Sequence, residues 1–133
     1  GLDRLLMVRE YPQPDAKIRA KSYKEVGGGN AANSAHAMAL LLSPTSSIIR
    51  LATKVGQDSL GKQVLKELAD VGVDTTFCVT VPDTQTGFTT IIVEQPENND
   101  SSSNGKNKKH PTRTCIHTQG SCGELSISDL EQW

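Results

Sequence analysis

Three consecutive glycines, Gly27-Gly28-Gly29, run directly into Asn30 within the segment "EVGGGNAANSA", residues 25–35. Glycine gives the backbone freedom at an entropic cost, so a run of it before a helix has a physical reason. Either a ligand comes close to the main chain there, or the turn is merely tight. Asn30 to Leu42 reads as a helix, because Ala35, Met38, Ala39 and Leu42 sit at i, i+3, i+4 and i+7. Its alanine content suits that assignment.

Around this landmark the chain alternates strand and helix. Gly1-Leu2-Asp3 reads as a strand already under way, and Leu5 to Val8 as its end. Pro12 and Pro14 interrupt any ladder after it. Lys17 to Val26 alternates loosely and predicts an exposed strand with one wet face. Ser43-Pro44-Thr45 ends the helix, and Ile48 to Thr53 reads as a compact apolar strand with a loop, Lys54 to Ser59, behind it. Asp58 or Ser59 is placed to cap a second helix, Leu60 to Val71, with Leu60, Val64, Leu65 and Leu68 inward and Gly72 as its terminating glycine. Val73 to Val81 and the β-branched Thr86 to Val93 read as strands separated by a Pro82-Asp83-Thr84 turn. Glu94 to Pro111 is a low-complexity polar insertion, expected to be a disordered loop. Thr112 to Thr118 returns to strand, and Ser126 to Trp133 has the polar opening of a helix. This order predicts an α/β layer architecture carrying extra strands.

The totals exclude several functions. With 14 basic and 15 acidic residues the net charge is -1, so nothing global draws the chain to nucleic acid or an anionic membrane. Lys106, Lys108 and Lys109 lack interleaved aromatics and read as a solvated loop rather than a basic patch. No apolar run approaches the roughly 20 residues of a membrane span. The 3 cysteines, Cys78, Cys115 and Cys122, form no Cys-x-x-Cys, so neither a zinc site nor a disulfide framework is expected. The chain does not begin with Met and both ends look cut, which reads as a piece of a longer protein.

Two nucleotide readings of the glycines fail in context. Gly27-Gly28-Gly29-Asn30-Ala31-Ala32 formally fits G-x-G-x-x-G/A, but "RAKSYKE" before it is charged, and no acid ends the next strand. A P-loop needs Gly-Lys-Ser/Thr, which the chain lacks. A polyol site fits better. Glycine lets a ligand approach the backbone, Asn30 and Asn33 each offer donor and acceptor on the first helical turn, and the helix start adds unpaired N–H groups. A glycine turn capped by asparagine is the alternative.

Taken together, "YPQPDAKIRAKSYKEVGGGNAANSA" and "KVGQDSLGKQVLKELADVGVDTTF" resemble the N-terminal half of the pfkB, or ribokinase-like, carbohydrate kinases. Gly28, Gly29, Asn30, Asn33, Val55, Gly56, Asp58 and Gly61 stand in the order and spacing of that family's first signature. The "TRTCIHT" strand looks closest to ketohexokinase-like plant members. The resemblance covers the whole chain, residues 1–133, apart from the insertion at 94–111.

The resemblance implies a partial three-layer α/β/α sandwich of ribokinase type with a small β-sheet lid. That lid would be built from the Lys17 to Val26 region and the strands beginning at Thr86 and Thr112. It implies that Asp3, Gly28, Gly29, Asn30 and Asn33 bind a sugar, that Arg113 lies near the transferred phosphate, and that Asp15 takes part in a clasp between the lids of a homodimer. Asp58 is expected to be a helix cap rather than a ligand, His36 a structural helix residue, and Cys115 a half-buried filler. His117 is a candidate to face the cleft. The family's catalytic base sits in a C-terminal Gly-x-Gly-Asp that this chain lacks, and the ATP-binding half is likewise missing. The expected function is therefore ATP-dependent phosphorylation of a ketose or pentose, with ATP and Mg2+ used by the full-length protein. This chain would supply the sugar pocket and lid, no catalytic residue and no metal site, and would not turn over alone. A nucleoside kinase of the same family and a non-catalytic or truncated sugar-binding member are the alternatives. The expected location is cytoplasmic, with a plastid left open by the missing natural N-terminus.

Overall fold

A computed structural model describes residues 1–42, 49–95 and 112–131. Strand β1 (Leu2–Val8) is the hub of a four-stranded mixed sheet in the order β2-β1-β5-β6. β2 (Ser22–Gly27) runs antiparallel to β1, with Asp3 opposite Val26 and Leu5 opposite Lys24. β5 (Phe88–Glu94) runs parallel to β1, with Asp3 opposite Thr89. β6 (Thr112–Thr118) closes antiparallel on β5, with Thr89 opposite His117. The strands expected to form a lid are thus the flanks of a sheet whose middle is β1 itself. A second, two-stranded parallel sheet pairs β3 (Thr53–Gly56) with β4 (Cys78–Val81).

Helix α1 (Asn30–Leu42) and helix α2 (Ser59–Asp70) bring their apolar faces to one core of Leu2, Ala35, Ala39, Leu51, Val64, Leu68 and Val73. Phe88 and Leu60 pack against it. Fully burying a side chain of this size contributes about 1.5–3 kcal/mol relative to exposure, so α2 is anchored mainly by Val64 and Leu68. A 3-10 turn (Gly120–Glu124) and a short α3 (Ile127–Leu130) complete the described chain. The Ser126 side chain and Asp129 close a capping box at the start of α3. No helix among the described residues is long and apolar enough to cross a membrane.

Several expectations need correction. The strand expected at 17–26 begins only at Ser22; the ladder starts where Lys21 N–H meets Met7 O at 2.7 Å. The strand expected at Ile48 to Thr53 is displaced to Thr53–Gly56, running into residues expected as loop from Lys54, and among the described residues only an isolated bridge between Arg50 and Asp74 precedes it. The strand expected from Val73 starts at Cys78, because Asp74 Oδ1 accepts from both the N–H and the hydroxyl of Thr76 and turns the chain. Glu94, assigned to the insertion, is the last residue of β5 and pairs with Thr112. The insertion from 96 to 111 lies outside the described residues, as do the expected helix stop at 43–45 and residues 132–133. On α1 the buried face is Ala35 and Ala39 with Ala32 beside them, while Met38 and Leu42 are 45% and 46% exposed. The small alanine side chains let the helix approach the core closely, which leaves the bulkier positions of the expected stripe outside. Cys115 is exposed rather than half-buried, whereas Cys78 is half-buried.

Candidate functional site

The site grows from the start of β1. Asp3 follows the buried Leu2, and its carboxylate rests directly against Gly28. A Cβ on Gly28 would lie 2.4 Å from Asp3 Oδ1 and 2.5 Å from its Cγ, so the carboxylate keeps its place only because that residue is glycine. Gly28 is tied down by its N–H, which donates to Gly1 O at 3.1 Å. Gly29 then takes φ 95°, the left-handed region that favours glycine, and its carbonyl accepts from Asn33 N–H at 2.9 Å to begin α1. The first-turn N–H groups of a helix have no partner within the helix. Here that first turn, Asn30 to Ala32, opens onto the same space as Asp3.

That space is a cavity of about 210 Å³. Its polar wall carries Asp3, Asn30, Thr89 and His117, and its apolar wall is the edge of the core at Leu51, Val55 and Val64. Register explains the polar wall. Asp3 opposes Thr89 and Thr89 opposes His117, so three neighbouring strands send one transverse row of side chains from the same face of the sheet. Thr89 Oγ1 and His117 Nδ1 are joined at 3.1 Å. Such a mixed lining offers hydrogen-bonding groups to hydroxyls on one side and an apolar surface to carbon on the other.

A buried clamp holds the frame of the cavity. Asp58 caps α2, its Oδ1 accepting from Gly61 N–H at 2.7 Å. The same carboxylate accepts from Thr86 Oγ1 at 2.6 Å and, through Oδ2, from Thr86 N–H at 2.8 Å. Thr86 Oγ1 in turn accepts from Gly56 N–H at 2.9 Å. Burial pushes the Asp58 carboxyl up, but the bonds from Thr86 and Gly61 outweigh it and hold the group below the usual carboxylate range. The clamp fixes where β5 begins, and therefore where Thr89 stands. On the opposite face Arg4 Nε meets Glu25 Oε1 at 3.1 Å, Tyr23 Oη donates to the same oxygen, and the Arg4 guanidinium lies 4.3 Å from the centre of the Phe88 ring. Phe88 also lines the cavity.

The structure brings Asp3, Gly29 and Asn30 together at the cavity, with Gly28 directly behind the Asp3 carboxylate. Asn33 stands elsewhere. It lines a smaller depression on the other side of the glycines with His36 and Glu67. Three residues carry a helix almost a full turn and about 4.5 Å along its axis, so the shared face expected of Asn30 and Asn33 does not put both side chains into one cavity. Arg113 shares the sheet face of His117 but lies opposite Val93, four residues before His117 on β6. Asp15 sits at φ 61° in an exposed turn closed by Ala16 N–H to Gln13 O at 3.0 Å. Asp58 is a cap, as its position before the helix implied. Among the described residues no group of His, Cys, Asp and Glu is arranged to hold a metal ion. Sequence reasoning missed Thr86 and Thr89. Thr89 becomes visible only with the β1–β5 register, while Thr86 stands in a Thr-Gly pair just before a β-branched run, a recognisable strand start.

The model of the family described as "pfkB family carbohydrate kinase" matches residues 2–129. A ribokinase of Staphylococcus aureus is 30% identical over 94 residues, which cover 70% of this chain and 30% of that protein. A deoxyribokinase of Salmonella typhi is 30% identical over 98 residues, covering 74% of this chain and 31% of that protein. Among solved structures, the ribokinase of Arabidopsis thaliana complexed with ribose and ATP superposes with a TM-score of 0.68 at 22% identity, over 90% of this chain and 33% of that one. The chain thus spans about a third or less of the length of the proteins it matches.

Proposed function

Because the chain belongs to the pfkB family of carbohydrate kinases and has a ribokinase-like α/β fold, we propose that it forms the acceptor-sugar side of an ATP-dependent sugar kinase. The observation that carries this reading is the meeting of the Asp3 carboxylate, the close-approach glycines and the first turn of α1 at one cavity. A carboxylate accepts hydrogen bonds from two neighbouring hydroxyls, and the Asn30 amide both donates and accepts. Gly28 leaves room for the carboxylate, and Gly29 lets the sugar reach the backbone. Asn33 lines the adjoining depression, which shares Gly1, Ala32 and Val64 with the cavity. Binding the acceptor in a fixed orientation is the part of phosphoryl transfer that these residues can perform. ATP supplies the phosphoryl group and Mg2+ its charge neutralisation; neither is assigned to residues of this chain.

A pentose or ketose is the proposed acceptor, in keeping with ribokinase and deoxyribokinase relatives. The "TRTCIHT" strand supports a finer placement near ketohexokinase-like members, with Arg113 towards the phosphate. A clasp of two lids through Asp15 belongs to the same proposal. A nucleoside is the second reading, since Phe88 at the cavity wall offers a ring for a base to stack on. The Asp3 carboxylate and Asn30 amide beside it favour the polyhydroxyl sugar. A thermal-shift panel of pentoses and ketohexoses against nucleosides tests the choice. Stabilisation by sugars alone is expected, and stabilisation by nucleosides alone would reverse it. The chain by itself should release no ADP from ATP in the presence of any sugar, as it lacks Gly-x-Gly-Asp.

A further inference from the structure

We propose that His117 is a specificity residue of the acceptor site, its Nε2 hydrogen-bonding a substrate hydroxyl on the side of the cavity away from Asp3, with Thr89 as the positioning residue that sets the ring. The inference rests on the sugar-kinase reading above. Three observations carry it. His117 lines the same cavity as Asp3, Gly29 and Asn30. It stands in the transverse row Asp3, Thr89, His117 across β1, β5 and β6, so its side chain leaves the sheet on the same face as the Asp3 carboxylate. Its Nδ1 is engaged with Thr89 Oγ1 at 3.1 Å.

The chemistry follows from the imidazole. A neutral ring has one donor and one acceptor nitrogen, and the partner of one nitrogen selects the role of the other. When Thr89 donates to Nδ1, Nε2 carries the hydrogen and donates; when Nδ1 donates to Thr89, Nε2 accepts. In both cases Nε2 remains for a ligand, since it has no hydrogen-bond partner among the described residues. Asp3 and His117 are two strand spacings apart, about 10 Å between their Cα atoms. The gap between their side chains admits one sugar ring held by hydrogen bonds of about 2.8 Å at each end. Thr89, between them, is committed to the ring and reads the sugar only through it. A site with two such grips rejects an analogue that lacks the hydroxyl one of them needs, because the protein group is then left unpaired.

The test measures affinities of the chain by calorimetric or chemical-shift titration with D-ribose and its 2-deoxy, 3-deoxy and 5-deoxy forms. The unsubstituted chain should prefer ribose over the analogue missing the His117-bonded hydroxyl by about fivefold, the worth of one net hydrogen bond. In His117→Leu that single ratio should fall to about one, while the ratios for the other analogues hold. His117→Gln, which keeps an amide near the Nε2 position, should restore part of the preference, and it also guards against a folding defect in the leucine variant. Asp3→Asn should collapse a different ratio. Thr89→Val should shift the His117 tautomer balance read from imidazole 15N shifts and weaken the His117-dependent ratio alone. An equal loss for every sugar in His117→Leu, or four unchanged affinities, overturns the assignment while leaving the sugar-kinase reading intact. Failure of the unsubstituted chain to bind any of the sugars overturns both.

Discussion

Replacing Thr86 with valine removes one hydroxyl from a residue that is 1% exposed and sits at the centre of the clamp. Two bonds disappear: Gly56 N–H to Oγ1 at 2.9 Å, and Oγ1 to Asp58 Oδ1 at 2.6 Å. Stranding the buried Gly56 N–H costs about 1–3 kcal/mol, and losing a hydroxyl donor to a carboxylate about 1.5–3 kcal/mol. The added methyl returns about 0.8 kcal/mol. Thr86→Val should therefore lose about 2–5 kcal/mol in urea unfolding. Thr86→Ser keeps both bonds, forfeits only the buried methyl, and should lose about 1 kcal/mol. The order of the two variants decides the matter. If serine costs as much as valine or more, packing rather than the hydroxyl holds the clamp, and the reasoning fails. The acid limb gives a second readout. The folded Asp58 carboxyl is held below its ordinary value, so its contribution to stability is fully present above about pH 3.9 and is lost as pH falls through the lower folded value. Thr86→Val removes one of the bonds holding it down. Acid unfolding should then begin at higher pH than in the parent chain.

Gly28→Ala forces a Cβ to within 2.4 Å of Asp3 Oδ1, so the carboxylate must swing away. Sugar affinity should drop about tenfold or more in a titration while the urea midpoint moves little, because the clash falls on a side chain and not on backbone. Lys54 pairs with Asp129 at 2.9 Å and donates to Glu124 O at 3.0 Å, so Lys54→Met should speed amide hydrogen exchange across residues 124–131 before any global change. Bonds from Ser126 and then Lys54 hold Asp129 at about 2, so in the parent chain the same loosening should appear only as pH falls towards that value. Burial pushes the Cys78 thiol up to about 11, which leaves about one thiolate in a thousand at pH 8. Iodoacetamide at pH 8 followed by mass spectrometry should modify the exposed Cys115 and spare Cys78.

The helices were legible because their signals are local. The glycine run marks the start of α1 at Asn30, and the Asp58 cap and Gly72, at φ 89°, bracket α2. The strand limits were not, because a strand is defined by its neighbour. Ile49, Arg50 and Leu51 have the composition of a strand, yet the parallel ladder begins at Thr53, where β4 becomes available beyond the Asp74–Thr76 turn. The site was legible in the same uneven way. Asp3, Gly29 and Asn30, which the family resemblance singles out, meet at one cavity. Thr89 and His117, 28 residues apart in sequence, complete the wall; His117 was a candidate, but its row with Asp3 and Thr89 exists only once the register is known. Asn33, three residues after Asn30 on α1, lines the neighbouring depression with His36 and Glu67.

The glycines of the two blocks serve different ends. At Gly28 the missing Cβ makes space for a side chain, the Asp3 carboxylate, that faces the cavity. At Gly56 and Gly61 it makes space for backbone: a Cβ would come within 2.1 Å of Thr84 O and 2.3 Å of Gly56 O respectively. The first clash can be relieved by a rotation about a side-chain bond, the second only by moving the main chain that carries the clamp. Substitutions at Gly56, Asp58, Gly61 or Thr86 should therefore lower stability and weaken all sugars together, since they displace the origin of β5 and with it Thr89. Substitutions at Gly28, Asp3 or His117 should alter which sugars bind while the fold persists. The Val-Gly-x-Asp-x-x-Gly block is then the frame of the cavity, and the row of Asp3, Thr89 and His117 is what this frame keeps in register.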